Sequence, residues 1–136
     1  MTTTNKLMPN KQQEELLNQS GPSGPVFMIN LVKFKDKAHY VDGRQTTLSG
    51  REAYRLYGLE AVKMLPRYNA EVVISTHITE LIIGESDELW DEMSIVKYAS
   101  RQDLNNMTSS QEWNDINIHR LAGINGQLNI ESVCPQ

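Results

Sequence analysis

The segment Val26–Phe34, VFMINLVKF, is a nearly continuous apolar run of strand length. Its share of branched and bulky side chains favours a strand buried inside a sheet over an amphipathic one. Only Asn30 and Lys33 interrupt it. A buried asparagine must spend its amide on hydrogen bonds, so Asn30 either ties backbone together or faces a polar pocket.

The elements around that strand follow from local signals. Residues 9–19 read as a short helix, and SGPSGP at 20–25 stops it with Gly and Pro. Ser49 and Glu52 form a capping box that opens a helix with an apolar stripe at Ala53, Leu56, Tyr57, Ala61, Met64 and Leu65, and Pro66 ends it. Residues 69–84 are rich in β-branched side chains and too long for one flat strand, which predicts a bend near Thr76–Thr79. An acidic turn leads to a strand over Met93–Tyr98. Ser100 with Asp103 opens a short helix, Ser109 with Glu112 opens another that closes at Gly123, and Gly126–Val133 alternates as a last strand. The order is β-α-β-β-α-β behind an N-terminal helical arm. That is the α+β, ferredoxin-like split βαβ plan, with two helices on one face of a four-stranded antiparallel sheet. The other face carries too many Val and Ile to stay wet, so a homodimer that buries it as a dimeric α/β barrel is expected. The expected division is an arm over residues 1–25 and one domain over 26–136.

At 136 residues the chain is long enough for a core without staples. Hydrophobic residues at 39% and charged residues at 22% argue against disorder. No run approaches the roughly 20 apolar residues of a spanning helix, and no secretory leader is visible. The single cysteine, Cys134, cannot close an internal disulfide, so a reducing, cytoplasmic setting is expected. Nucleic acid is a poor partner for an acidic chain of net charge -4 without an arginine-rich stripe. The charge is unevenly spread: residues 1–68 carry ten Lys/Arg against six Asp/Glu, and residues 69–136 carry three against eleven. The two halves are expected to form opposing patches, within one subunit or across an interface, or else two solvated faces.

Standard catalytic motifs are missing. His39, His77 and His119 lie far apart in sequence without a cysteine or histidine at zinc-like spacing, and no phosphate loop or nucleophile elbow is present. No metal and no cofactor are therefore expected. What remains is a set of polar and aromatic residues inside apolar elements. His77 shares a strand face with Ser75 and Thr79, which suits either a ligand-lined face or a solvent-facing edge. Asp115 and His119 are four apart on a helix, the spacing of a carboxylate-oriented general base and equally of a surface pair. Arg120 points about 100° away, toward Trp113 and Ile116, where its fork of donors would hold a carboxylate or bridge to an acidic side chain. Tyr54, Tyr57 and Trp90 offer surfaces for a flat ligand, or simply core.

Several stretches together resemble the domain of unknown function 1330 family: GPVFMINLVKFKDKAHY, LSGREAYRLYG, IIGESDELWDEMSIVKYASR and IHRLAGINGQL. The likeness runs from about Pro9 to Val133. It covers Asn30-Leu31, Gly50 to Tyr54, Tyr57, Trp90-Asp91, Tyr98, Ser100-Arg101, His119-Arg120 and Gly123. Two positions depart from the family pattern: Ala99 stands where a proline is usual, and Asn69-Ala70 where a Gly-Gly pair is usual. The resemblance implies a small bacterial protein of the dimeric α/β-barrel superfamily, with a pocket between sheet and helices and no generally assigned reaction.

The functional expectation is a cofactor-independent enzyme, of monooxygenase or isomerase type, acting on a small organic metabolite. His119 and Asp115 would be catalytic, and Asn30, Tyr54, Tyr57, His77, Trp90 and Arg120 would bind substrate. The alternative is a non-catalytic binding or accessory protein that uses the same pocket.

Overall fold

The structure, a computed structural model, describes residues 7–135. Its elements are α1 (Lys11–Leu17), β1 (Val26–Phe34), α2 (Gly50–Met64), a short 3₁₀ turn (Leu65–Tyr68), β2 (Ala70–His77), β3 (Glu92–Tyr98), α3 (Arg101–Thr108), α4 (Gln111–Gly123) and β4 (Ile124–Ser132). The strands lie in the order β2-β3-β1-β4, and every neighbouring pair is antiparallel. This is the ferredoxin-like arrangement, with its second helix divided into α3 and α4 and an N-terminal helix added.

The apolar run of β1 has a topological cause: the strand is central, hydrogen-bonded to β3 on one side and β4 on the other. Val26, Met28, Asn30 and Val32 are buried on the helix side, while the alternating Phe27, Ile29 and Leu31 remain part-exposed on the other. On the helix side Val26, Met28, Tyr98 and Val96 join Met64, Leu65, Leu104, Met107 and Trp113 in the main core. Tyr40, Ala53 and Ala122 form a smaller core under the loop after β1.

Two glycines let α2 and α4 cross at backbone distance. A Cβ on Gly50 would stand 2.1 Å from the Lys35 carbonyl oxygen and 2.6 Å from that of Gly123. A Cβ on Gly123 would stand 2.4 Å from the Gly50 carbonyl oxygen. No L side chain fits either place. Asn69 has φ +54°, the left-handed conformation that asparagine tolerates better than most residues. It therefore turns the chain into β2 where the resembling family carries glycine.

Three expectations need correction. The second strand ends at His77, because its partner β3 begins opposite it at Glu92 and the Ile78 amide closes the ladder on the Asp91 carbonyl. Residues 78–91 are an irregular connection in which Ile82 and Ile83 are exposed. The irregularity expected near Thr76 falls earlier, where the register shifts between Val72 and Ile74. Finally, α4 is capped by Ser110 instead of Ser109: the Ser110 hydroxyl accepts from the Trp113 amide, which sets Trp113 facing the core, and Ser109 closes α3.

The arm packs on α3. α1 has a capping box between Asn10 and Gln13 but no buried residue, and Leu17 rests on the main core. Arg101, held by a two-pronged ion pair with Glu131 at 2.7 and 2.8 Å, donates a third bond to the Leu16 carbonyl at 3.1 Å. Asn105 donates to Asn18 at 3.1 Å. Gly21 crosses directly over Arg101 with φ +68°, and a Cβ there would meet the guanidinium at 2.7 Å.

Candidate functional site: a helix-side cavity with a polar floor

Between the helix side of the sheet, α2, α3 and the arm lies a cavity of about 1350 Å³. Its floor is set by register. Ser75 pairs with Ser94, Ser94 with Asn30, and Asn30 with Asn129, so all four strands present a polar side chain at one level. All four residues line the cavity. Apolar residues flank this row at Val72, Val96 and Met28. The wall is aromatic: the Phe34 and Tyr54 rings are 5.5 Å apart, as are those of Tyr54 and Tyr57. Tyr57 Oη accepts from the Trp113 indole N–H at 3.1 Å.

One end of the cavity holds a buried cation. Arg120 is 8% exposed and reaches inward from the last turn of α4. Its Nε and Nη2 donate to Gln127 Oε1 at 3.1 and 2.8 Å, and Nη1 donates to Asn117 Oδ1 at 3.1 Å. Gln127 passes the chain on, donating to Asn30 Oδ1 at 2.9 Å, and Asn129 donates to the same oxygen. Asn30 is thus both a tie between strands and part of the floor. The guanidinium sits 6.0 Å from the Trp113 ring, on the side that helical geometry predicted. Every side-chain oxygen that accepts a hydrogen bond from Arg120 is a neutral amide, and among the described residues no carboxylate pairs with it. Burial lowers its pKa, the physical sign of a charge taken out of water without a counter-charge.

The other end holds an acid–base pair. His77 and Glu92 face each other across β2 and β3. Arg51 Nη1 donates to His77 Nδ1 at 2.9 Å. A guanidinium has only donors, so Nδ1 is the acceptor and the imidazole proton sits on Nε2, 3.7 Å from Glu92 Oε1. Burial raises the Glu92 pKa, opposed by the nearby His77 and Arg51. Tyr54 lies between the two ends. Burial pushes its hydroxyl pKa up, Tyr57 and Glu92 add to that, and Arg120 opposes them.

Of the residues singled out from sequence, Asn30, Tyr54, Tyr57, His77 and Arg120 line this cavity, whereas His119, Asp115 and Trp90 do not. The expected Asp115–His119 pair is not formed. His119 Nδ1 lies 2.6 Å from the hydroxyl of buried Tyr40, and Asp115 accepts from Gln111 one turn earlier at 2.7 Å. The reason is local: a buried phenol needs a hydrogen-bond partner, and His119 Nδ1 supplies it, the imidazole tautomer setting which of the two donates. This dyad, with Arg44 stacked 4.7 Å from the Tyr40 ring, ties the loop after β1 to α4 on the far side of that helix from the cavity. Trp90 belongs to the connection before β3. Sequence reasoning missed Glu92, Ser94, Gln127, Asn129 and Arg51. The strand residues carried a faint signal: polar side chains alternate at Glu92 and Ser94 in β3 and at Asn125, Gln127, Asn129 and Glu131 in β4. Among the described residues no group of three or more His, Cys, Asp or Glu is arranged to hold a metal ion, and no helix is long and apolar enough to cross a membrane.

Fold and cavity together define a class: an α+β ferredoxin-like chain with an amphipathic chamber between its sheet and its helices. Solved structures agree with that fold. A protein of unknown function from Rhodopseudomonas palustris is 28% identical, with a TM-score of 0.84 over 97% of this chain and all of that one. The methylated form of that protein gives 0.87, covering 98% of both chains. A dabb family protein with a ferredoxin-like fold from Mesorhizobium loti gives 0.53 at 10% identity, over 83% of this chain and 99% of that one. A dimeric protein of unknown function with a ferredoxin-like fold from Bacteroides fragilis gives 0.50 at 12% identity, over 79% and 94%. The last two carry the fold alone. No family model and no curated protein sequence matches the chain.

Proposed function

We propose that the helix-side cavity binds a small organic anion, with Arg120 as its anchor. The observation that carries this reading is the guanidinium itself: 8% exposed, surrounded by amides, and without a carboxylate among the described residues. Leaving a charge buried and uncompensated is costly, and a ligand oxyanion supplies the missing partner. The aromatic wall of Phe34, Tyr54 and Tyr57 packs the ligand body, and the serine and asparagine row orients its polar groups.

Proton transfer is the chemistry these residues support. Glu92, with its raised pKa, accepts a proton from a ligand carbon beside a double bond and returns it to the far carbon of that double bond, which moves over by one position. The electron pair meanwhile stays on the ligand, stabilised by Arg120, and His77 Nε2–H faces the Glu92 carboxylate from 3.7 Å. This favours isomerase-type chemistry that needs no resident cofactor. In that scheme the Glu92–His77 pair takes the role expected of Asp115 and His119. The second reading, a binding protein without turnover, is favoured by the openness of the pair: the His77 side chain is 66% exposed, where water competes for the proton.

We also infer a homodimer through the open sheet face, where Ile29, Leu31, Ile95, Leu128 and Ile130 lie unburied, and membership of the domain of unknown function 1330 family. The motifs quoted from the sequence support that membership. The division into an arm over 1–25 and a domain over 26–136 is part of the same reading.

The test is mass spectrometry of small molecules that co-purify with the protein. The wild type is expected to carry an acid that Arg120→Gln loses, and deuterium from D2O is expected to enter that acid with the wild type and not with Glu92→Gln. An Arg120→Gln protein that carries the same compound at the same occupancy removes the proposal. Binding without deuterium exchange leaves the binding protein as the answer.

A further inference from the structure

The guanidinium of Arg120 has two edges, and they are filled differently. Gln127 Oε1 takes the Nε–Nη2 edge. The Nη1–Nη2 edge faces the arm, where Nη1 meets Met8 Sδ at 3.6 Å and Nη2 donates to the Leu7 carbonyl. Asn117 Nδ2 points at the same sulfur from 3.8 Å. A thioether is a weak acceptor, and a main-chain carbonyl is neutral. Neither compensates a buried charge. The two hydrogens of this edge run parallel and suit the two oxygens of one carboxylate.

The hold of the arm on this site is slight. Residues 7–10 have no regular structure, Met8 is half-exposed, and α1 buries no side chain. Leu17 and the two links from Arg101 and Asn105 fasten it, and Gly21 and Gly24, both at positive φ, separate it from β1. Few buried contacts and a pair of flexible residues are the marks of a segment that opens locally at low cost.

We propose that Leu7–Met8 is an internal stand-in for the carboxylate of the ligand, and that the arm is a strap which a monocarboxylate with a flat apolar body displaces from Arg120. This rests on Arg120 being the anion anchor, and adds to it a ligand class and a built-in competitor. A strap closed about nine-tenths of the time weakens the apparent affinity about tenfold, since only the open fraction binds.

The experiment uses the full-length chain and 4-fluorobenzoate as probe, followed by fluorine NMR, with the Met8 methyl labelled to report the strap. Leu17→Asp frees the arm, which forms one wall of the cavity, while leaving Arg120 and its amide partners untouched. Asn105→Ala loosens it more gently, in case the first variant folds poorly. The expected result is a Kd lowered about tenfold by Leu17→Asp, lowered less by Asn105→Ala, and abolished by Arg120→Gln in either background. The Met8 methyl resonance is expected to shift to its Leu17→Asp position as the wild type saturates. An unchanged Kd in both arm variants, with binding still dependent on Arg120, overturns the strap and leaves the anchor standing. No binding of the probe even to the freed protein overturns the ligand class. Binding indifferent to Arg120→Gln removes the anchor itself.

Discussion

Gly50→Ala tests the contact that sets the angle between α2 and the rest of the domain. The added methyl would stand 2.1 Å from Lys35 O, 2.7 Å from Lys35 N and 2.6 Å from Gly123 O, all of them backbone. An ordinary contact needs more than 3.4 Å, so the backbone must move by about 1 Å. That displaces two hydrogen bonds, Lys35 N–H to Gly123 O at 2.9 Å and Gly50 N–H to Asp36 O at 3.4 Å. Overpacking against groups that cannot rotate away costs about 3 kcal/mol, and loosening two hydrogen bonds adds about 1 kcal/mol. A loss of about 4 kcal/mol is a large part of the total stability of a domain, about 5–15 kcal/mol. The natural control is Gly58→Ala, within α2, where a Cβ meets nothing within 4 Å. There the gain in helix propensity should stabilise by about 0.5–1 kcal/mol. Urea unfolding of both variants beside the wild type measures the difference directly. If Gly50→Ala unfolds within about 1 kcal/mol of Gly58→Ala, the close crossing is wrong.

Three further outcomes are expected. Burial, and then Arg44, lowers the His119 pKa below its usual 6.5, so its neutral form is the one the fold favours. The stability it contributes is complete above the unfolded value and is lost as pH falls through the folded one. His119→Gln should therefore flatten the acid limb of a stability–pH curve below about pH 6.5, and an identical limb in the variant refutes the Tyr40–His119 assignment. Arg101→Ala removes the paired bonds to Glu131 and the bond to Leu16. It should cost about 1–2 kcal/mol and speed tryptic cleavage at Lys11, and unchanged cleavage would mean that Arg101 does not fasten the arm. Ile130→Lys places a charge on the open sheet face, and sedimentation should show the dimer giving way to monomer; a dimer of unaltered stability moves the interface elsewhere.

Much of the fold was legible because its signals are local. The Ser49–Glu52 box, the apolar run of β1, Pro66 and the Ser100 cap each act within a few residues. The failures were equally physical. β2 stopped at His77 because strand length depends on the partner as well as on β-propensity, and β3 begins at Glu92. The Asp115–His119 pair had the right helical spacing, yet both side chains found other partners, one of them 79 residues away in sequence. Asn69 makes the turn into β2 without a glycine, since it too accepts the left-handed conformation.

By itself the sequence determined the elements, their order and the burial of β1. The charge asymmetry and the polar residues within the strands were visible too, but not what they meet. Tertiary structure decided that part of the charge split is closed within one subunit, at two pairs: Lys33 donates to Leu89 O at 2.7 Å and lies 3.7 Å from Asp91, and Arg67 pairs with Glu112. It also decided the site. Ser75, Ser94, Asn30 and Asn129 become one row only through the register of three ladders, and Arg120 becomes a buried cation only where Gln127, Asn117, Trp113 and the arm meet around it. Pattern within a segment is carried by short-range sterics and hydrogen bonds, whereas register and enclosure depend on residues tens of positions apart.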